Sequence, residues 1–145
     1  MEGYPEFEHL EHTADVLIVA YGKSLEELFS NAARGVFEVI TDTRRVEPRE
    51  TRNIEVSGMD LEQLLYKWID ELLYLHEAEG LVFGEFNVRE IRRCNNEFCL
   101  KAIVAGEKFD PQRHEYRVIV KAMTYAQMRI ERLGDLWKAS FVVDI

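Results

Sequence analysis

Val16-Leu17-Ile18-Val19-Ala20-Tyr21-Gly22-Lys23-Ser24-Leu25-Glu26-Glu27-Leu28-Phe29 is the stretch from which the fold is read. Its first six residues are continuously apolar, as in a strand covered on both faces. Ser24 with Glu27 three residues on is a capping box, which opens a helix. Apolar residues then recur at Leu25, Leu28, Phe29, Ala32, Ala33, Val36, Phe37 and Ile40, a helical stripe sustained over four turns. A second helix opens at Asp60, with Gln63 in the same relation. Its stripe is Leu61, Leu64, Leu65, Trp68, Ile69, Leu72 and Leu73, and Gly80 follows its end. Both stripes have the spacing of core faces rather than cofactor pockets.

The rest reads as strands. Asn53 to Ser57 alternates. Phe86, Val88 and the segment Glu97 to Val104 predict a hairpin turning near Asn95-Asn96. Arg117 to Met123 reads as another strand. A last hairpin turns at Gly134-Asp135, with Met128 and Ile130 on one arm. On the other arm Trp137, Ala139, Phe141, Val143 and Ile145 alternate inward, which puts Asp144 on the Val142 face. The order β-β-α-β-α followed by several strands is not a repeated βαβ. It predicts a single α+β domain over residues 1–145, with a mixed β-sheet and two amphipathic helices packed on one side.

A 145-residue chain is long enough to bury a real core, and its 47% apolar content is ordinary for a globular protein. The net charge of −9 argues against direct nucleic-acid binding, which needs a basic footprint. It suits a basic partner or a cation. The acidic stretch Met1 to Glu8 lacks the basic and apolar regions of a secretory signal, and no run approaches the ~18 apolar residues that span a bilayer. A cytoplasmic protein is expected, with Cys94 and Cys99 as free thiols. One Cys-x₄-Cys pair is a poor zinc signal.

Among chemical candidates, Asp15 precedes the first apolar strand and Asp144 ends the last, with the α-carboxylate of Ile145 beside it. If Asp15 meets Asp144 in space, hard oxygen ligands for Ca²⁺ or Mg²⁺ converge. Otherwise they are two unrelated acids at strand edges. Residues 106–115, with Glu107, Asp110, Arg113 and His114, form either a polar site or a solvated surface loop. Lys121, between Val120 and Ala122, either faces inward against a carboxylate or lies on the solvated face. No phosphate loop, Gly-x-Ser-x-Gly elbow or His-Glu-x-x-His helix is present.

The runs Glu11-His12-Thr13-Ala14-Asp15-Val16 and Ala20 to Phe29 resemble the archease family. So do Leu64 to Trp68 with Glu71 to Leu75, Gly106 to Asp110 with Arg113-His114, Val120 to Tyr125, and the closing Val142-Val143-Asp144-Ile145. The resemblance covers nearly the whole chain in order. Ala126 stands where the family commonly has His after Thr-Tyr, so no role for that imidazole carries over. The resemblance implies a protein cofactor without enzymatic activity of its own. It would be chaperone-like and would act on a guanylate-dependent tRNA-splicing RNA ligase. That ligase joins 3′-phosphate or 2′,3′-cyclic phosphate ends to 5′-hydroxyl ends, and the cofactor promotes its guanylylation and repeated turnover. Residue by residue, the resemblance implies activating residues at Asp15, Lys121 and Asp144. Metal ligands would be Asp15, Asp144 and Ile145, with His12 a weaker candidate. The cation implied is Ca²⁺ first, then Mg²⁺ or Mn²⁺. The alternatives are a small metal-dependent hydrolase using Asp15, Asp144 and His114, or a general chaperone or accessory protein of RNA processing.

Overall fold

The computed structural model describes residues 3–11 and 15–145. In chain order the elements are β1 (Phe7–Glu11), β2 (Asp15–Gly22), α1 (Leu25–Ile40), a short 3₁₀ turn (Thr43–Arg45), β3 (Glu50–Gly58) and α2 (Leu61–Glu79). They continue with β4 (Leu81–Cys94), β5 (Glu97–Lys108), β6 (Ala122–Met123), β7 (Arg129–Leu133) and β8 (Leu136–Asp144).

Both helices start by the same local device. The Ser24 hydroxyl accepts the Glu27 N–H at 3.1 Å, and the Glu27 carboxylate reaches back to the Lys23 N–H at 2.9 Å. At α2 the Asp60 carboxylate accepts the Gln63 N–H at 2.7 Å, and Gln63 Oε1 reaches back to the Met59 N–H at 2.8 Å. At each start one orphan helix N–H is thus satisfied, together with the N–H of the residue before the cap. In each case the preceding strand ends on a glycine packed against the new helix. A Cβ on Gly22 would lie 2.4 Å from Leu28 N, and one on Gly58 2.6 Å from Leu64 N. Only glycine lets these two strand ends approach so closely. Helix α2 stops at Gly80, whose left-handed φ of 69° ends the turn as its position after the stripe predicts.

The fold is α+β, and its strands divide between two sheets. One runs β1-β2-β8-β6 with β7 also on β8; the other runs β3-β5-β4. Every described pairing is antiparallel, so neither sheet is mixed in strand direction. Among the described residues the strand backbones of the two sheets stay apart, whereas both helices lie close against strands of both sheets. The helices therefore join two sheets instead of lining one side of a single sheet. The buried residues of α1, from Leu28 and Phe29 to Val39 and Ile40, cover more than half of its circumference, which allows contact on two sides. One hydrophobic core results, centred on Phe29, Phe37, Trp68, Phe83 and Phe141. The indole N–H of Trp68 donates to the Phe29 carbonyl at 2.9 Å, so the largest core side chain leaves no orphan donor.

Two local expectations fail. The stretch Arg117 to Met123 is a strand only at Ala122–Met123. The Arg117 N–H bonds instead to the Ile40 carbonyl at the end of α1, at 3.0 Å, and residues 117–121 leave sheet geometry. Cys94 and Cys99 are not free thiols but a disulfide. The β4–β5 hairpin turns on Asn95 and Asn96, both with positive φ, and this register brings the two cysteine Cα atoms to 6.2 Å. That lies within the span a disulfide bridges. The hairpin register places the two cysteines within reach of each other, which the spacing of the two residues in sequence does not show.

Candidate functional site: the Asp15–Asp144 strand pair

Asp15 opens β2 and Asp144 closes β8, and the antiparallel register makes them direct partners. Opposite residues in such a pair share a face, with Cβ atoms about 5 Å apart. On its other side Asp144 pairs with Ala122 of β6, so three strand ends meet there. The core takes the alternate positions Val16, Ile18, Phe141 and Val143, which leaves both acids off the core face. Asp144 is exposed and Asp15 partly buried. Two carboxylates directly opposite one another repel, and a bound cation or a basic partner relieves that repulsion.

A cavity of about 380 Å³ adjoins the pair. Asp15, Ile145, Glu38, Arg117 and Val118 line it, together with His9. The His9 ring donates from Nε2 to the Gly35 carbonyl at 2.8 Å, which commits that nitrogen. The last turn of α1 has no cation of its own, and Arg117 lies against it at the cavity wall. The Arg117 Nη1–H group donates to the Glu38 carbonyl at 2.7 Å and to the Glu38 carboxylate at 3.0 Å. A cation there complements the helix C-terminus. The bond from Arg117 to the Glu115 carboxylate, followed by the Coulombic pull of Glu115 and Glu38, raises the guanidinium pKa further. Sequence reasoning placed Arg117 in a strand and missed it. The missing cation in the last turn of α1 is the signal that could have pointed to it.

Lys121 joins the site through its main chain. Its N–H donates to the Asp144 carbonyl at 2.8 Å. Its side chain is exposed and lines a different cavity, with Leu73 and Glu77 of α2 and with Tyr116 and Ile119. Of the two orientations open in the sequence, the solvated one is found. His12 lies outside the described residues. His114 is buried, and both of its ring nitrogens are engaged, by the Asp110 N–H and by Glu107. It therefore has no nitrogen to offer a metal beside Asp15 and Asp144. Among the described residues no group of three or more His, Cys, Asp or Glu side chains gathers to hold a metal ion. A cation at the strand pair would take two side-chain carboxylates from this chain. That donor set suits a hard ion that keeps positions open for other oxygens, as Mg²⁺ does with phosphates.

The sequence profile of the Archease protein family matches residues 7–145. Protein archease from Aeropyrum pernix is 57% identical over 138 residues, covering 94% of this chain and 95% of that protein. Protein archease from Methanosarcina acetivorans is 45% identical, covering 97% and 96%. The solution structure of a Methanobacterium thermoautotrophicum protein superposes with a TM-score of 0.86 at 41% identity, over 97% of this chain and 99% of that one. A Thermotoga maritima crystal structure, described as an archease and possible chaperone, shares the fold at a TM-score of 0.59 and 23% identity, covering 99% and 100%. No described helix is long and apolar enough to cross a membrane. With a family match over nearly the whole chain and relatives near half identity, this chain belongs to the archease family.

Proposed function

We propose that this chain is a cytoplasmic protein cofactor, not itself an enzyme, for a GTP-dependent RNA ligase of tRNA splicing. The single observation that carries the reading is the direct pairing of Asp15 with Asp144 at adjoining strand ends. The partner class is the one the archease resemblance implies, and membership of that family supports proposing it. In this reading the two carboxylates, with main-chain oxygen at Ile145, place a divalent cation at the ligase's nucleotide pocket. The cation, Ca²⁺, Mg²⁺ or Mn²⁺, supplies charge neutralisation for phosphate oxygens when bound. The chain's own work is to hold two acids on rigid strand ends, so that neither needs ordering when the ligase arrives. Exposed Lys121 contacts the ligase or a phosphate beside them. The net charge of −9 disfavours RNA as a direct ligand of this chain alone.

The test is ligation of end-labelled RNA with purified ligase and GTP, with and without this protein. We expect many turnovers with the wild type and about one per ligase with Asp144→Ala or Asp15→Ala, at unchanged thermal melts. Calorimetry with Mn²⁺ should show heat that Asp15→Ala loses. Unchanged turnover on adding the wild-type protein would overturn the ligase reading. A folded Asp144→Ala protein that still drives repeated cycles would overturn the acidic pair as its basis.

A further inference from the structure

Residues 109–121 carry no strand or helix, yet they are tied down at several points. The first lies deep. Glu107, near the end of β5, is 3% exposed. Its Oε2 accepts the Glu47 N–H at 2.7 Å and His114 Nε2–H at 2.9 Å. Its Oε1 meets the Arg113 guanidinium, with Arg49 at 3.4 Å. The His114 tautomer is fixed by its other nitrogen. Nδ1 lies 2.8 Å from the Asp110 N–H, a group that can only donate, so Nδ1 carries the lone pair and Nε2 the proton given to Glu107. Further along, the Thr41 hydroxyl donates to the Glu115 carbonyl at 2.6 Å, and the Arg117 N–H bonds the Ile40 carbonyl. The strap ends where the Lys121 N–H meets the Asp144 carbonyl.

A buried imidazole–carboxylate bond is weak evidence for stability, but it selects one arrangement of the chain, because any other leaves a buried carboxylate short of partners. His114 lies three residues before Arg117 and seven before Lys121. Only the Glu115 carbonyl bond to Thr41 lies between His114 and the Arg117 N–H, so a shift at His114 loads the few bonds that hold the rest of the strap.

We propose that the bond from His114 to Glu107 is a latch that holds the 109–121 strap in register, making His114 and Glu107 positioning residues for Arg117 and Lys121 beside the Asp15–Asp144 pair. Its consequence for ligase activation rests on the function proposed above; the latch itself does not.

The experiment is residue-resolved amide hydrogen exchange on the full chain for the wild type, His114→Gln and His114→Asn. The Gln amide is long enough to donate to Glu107 from the Nε2 position. The shorter Asn amide can accept the Asp110 N–H but leaves Glu107 unreached. We expect His114→Asn to speed exchange at the Arg117 and Lys121 amides about tenfold or more relative to the amides of α2, and His114→Gln to stay near the wild type. Ligation should follow the same order, with turnover falling in His114→Asn while apparent affinity for the ligase holds. Wild-type protection at both amides in His114→Asn would overturn the latch. So would a speed-up shared equally by α2, and so would loss of protection at both amides in a folded His114→Gln. Exchange is measured without ligase. Unchanged turnover on adding the wild-type protein would therefore overturn the ligase reading and leave the latch standing or falling on its own data.

Discussion

Burial by itself raises the Glu107 carboxyl, but the bonds from Arg113, the Glu47 N–H and His114 outweigh it and hold the group at about 2, against an ordinary 4.5. A carboxyl depressed in the folded state stabilises the fold above its unfolded value, and that contribution is lost as pH falls through the folded one. The window is therefore pH 4.5 down to about 2. The shift corresponds to roughly 3 kcal/mol of stability at neutral pH. Other carboxylates titrate in the same range, so a difference measurement is needed. The gap in unfolding free energy between wild type and Glu107→Gln should be widest near neutral pH and narrow as the pH drops from 4.5 towards 2. A gap that stays constant across those pH values would show that Glu107 is not held ionised by its partners.

At the scale of elements, the tip of the β4–β5 hairpin carries a covalent tie that closes a very short loop. Cys94 and Cys99 are five residues apart, and the turn between them already has the left-handed backbone that a tight hairpin needs. In the chain-entropy picture, a loop this short contributes about 2 kcal/mol through the unfolded state. Replacing both cysteines with Ala should lower the melting temperature by roughly 4–8 °C, since ~1 kcal/mol shifts a chain of this size by about 2–4 °C. Ligase stimulation should be unchanged, because the acidic pair sits in the other sheet. The hairpin itself was legible from Asn95-Asn96 and the alternation around it, and both helices from their caps and stripes. Periodicity and caps are local, so they survive in sequence. The strap was not legible. Val118, Ile119 and Val120 look like a strand by composition, but bonds to Glu38, Ile40 and Thr41, all far away in sequence, tie the preceding residues to the end of α1.

Over the whole molecule, the division into two sheets was hidden for a related reason. An apolar face shows that a strand is covered, not which helix covers it or from which side. The pairing of Asp15 with Asp144 is also non-local, since it needs the β2–β8 register, and the sequence left it conditional. Relatives at 57% and 45% identity support the family far more strongly than any single residue does. Under the proposed function, this architecture separates stability from activation. The helices and the inner faces of both sheets hold the core, while the acids sit at strand ends off that core. Trp68, fully buried and bonded to the Phe29 carbonyl, stands for the first class and Asp144 for the second. Trp68→Ala removes a large core side chain and strands a buried acceptor, and should cost about 3–5 kcal/mol. That is a fall of roughly 6–20 °C in melting temperature. Below its own melt, the Trp68→Ala protein should still support ligase turnover at close to the wild-type rate per folded molecule. Asp144→Ala should do the reverse, melting within a few degrees of wild type and failing to sustain turnover. Melts and ligation time courses on the two variants, run at one temperature below both transitions, decide the matter. If Trp68→Ala loses turnover while fully folded, activation is not confined to the strand ends and the helices take part in it directly.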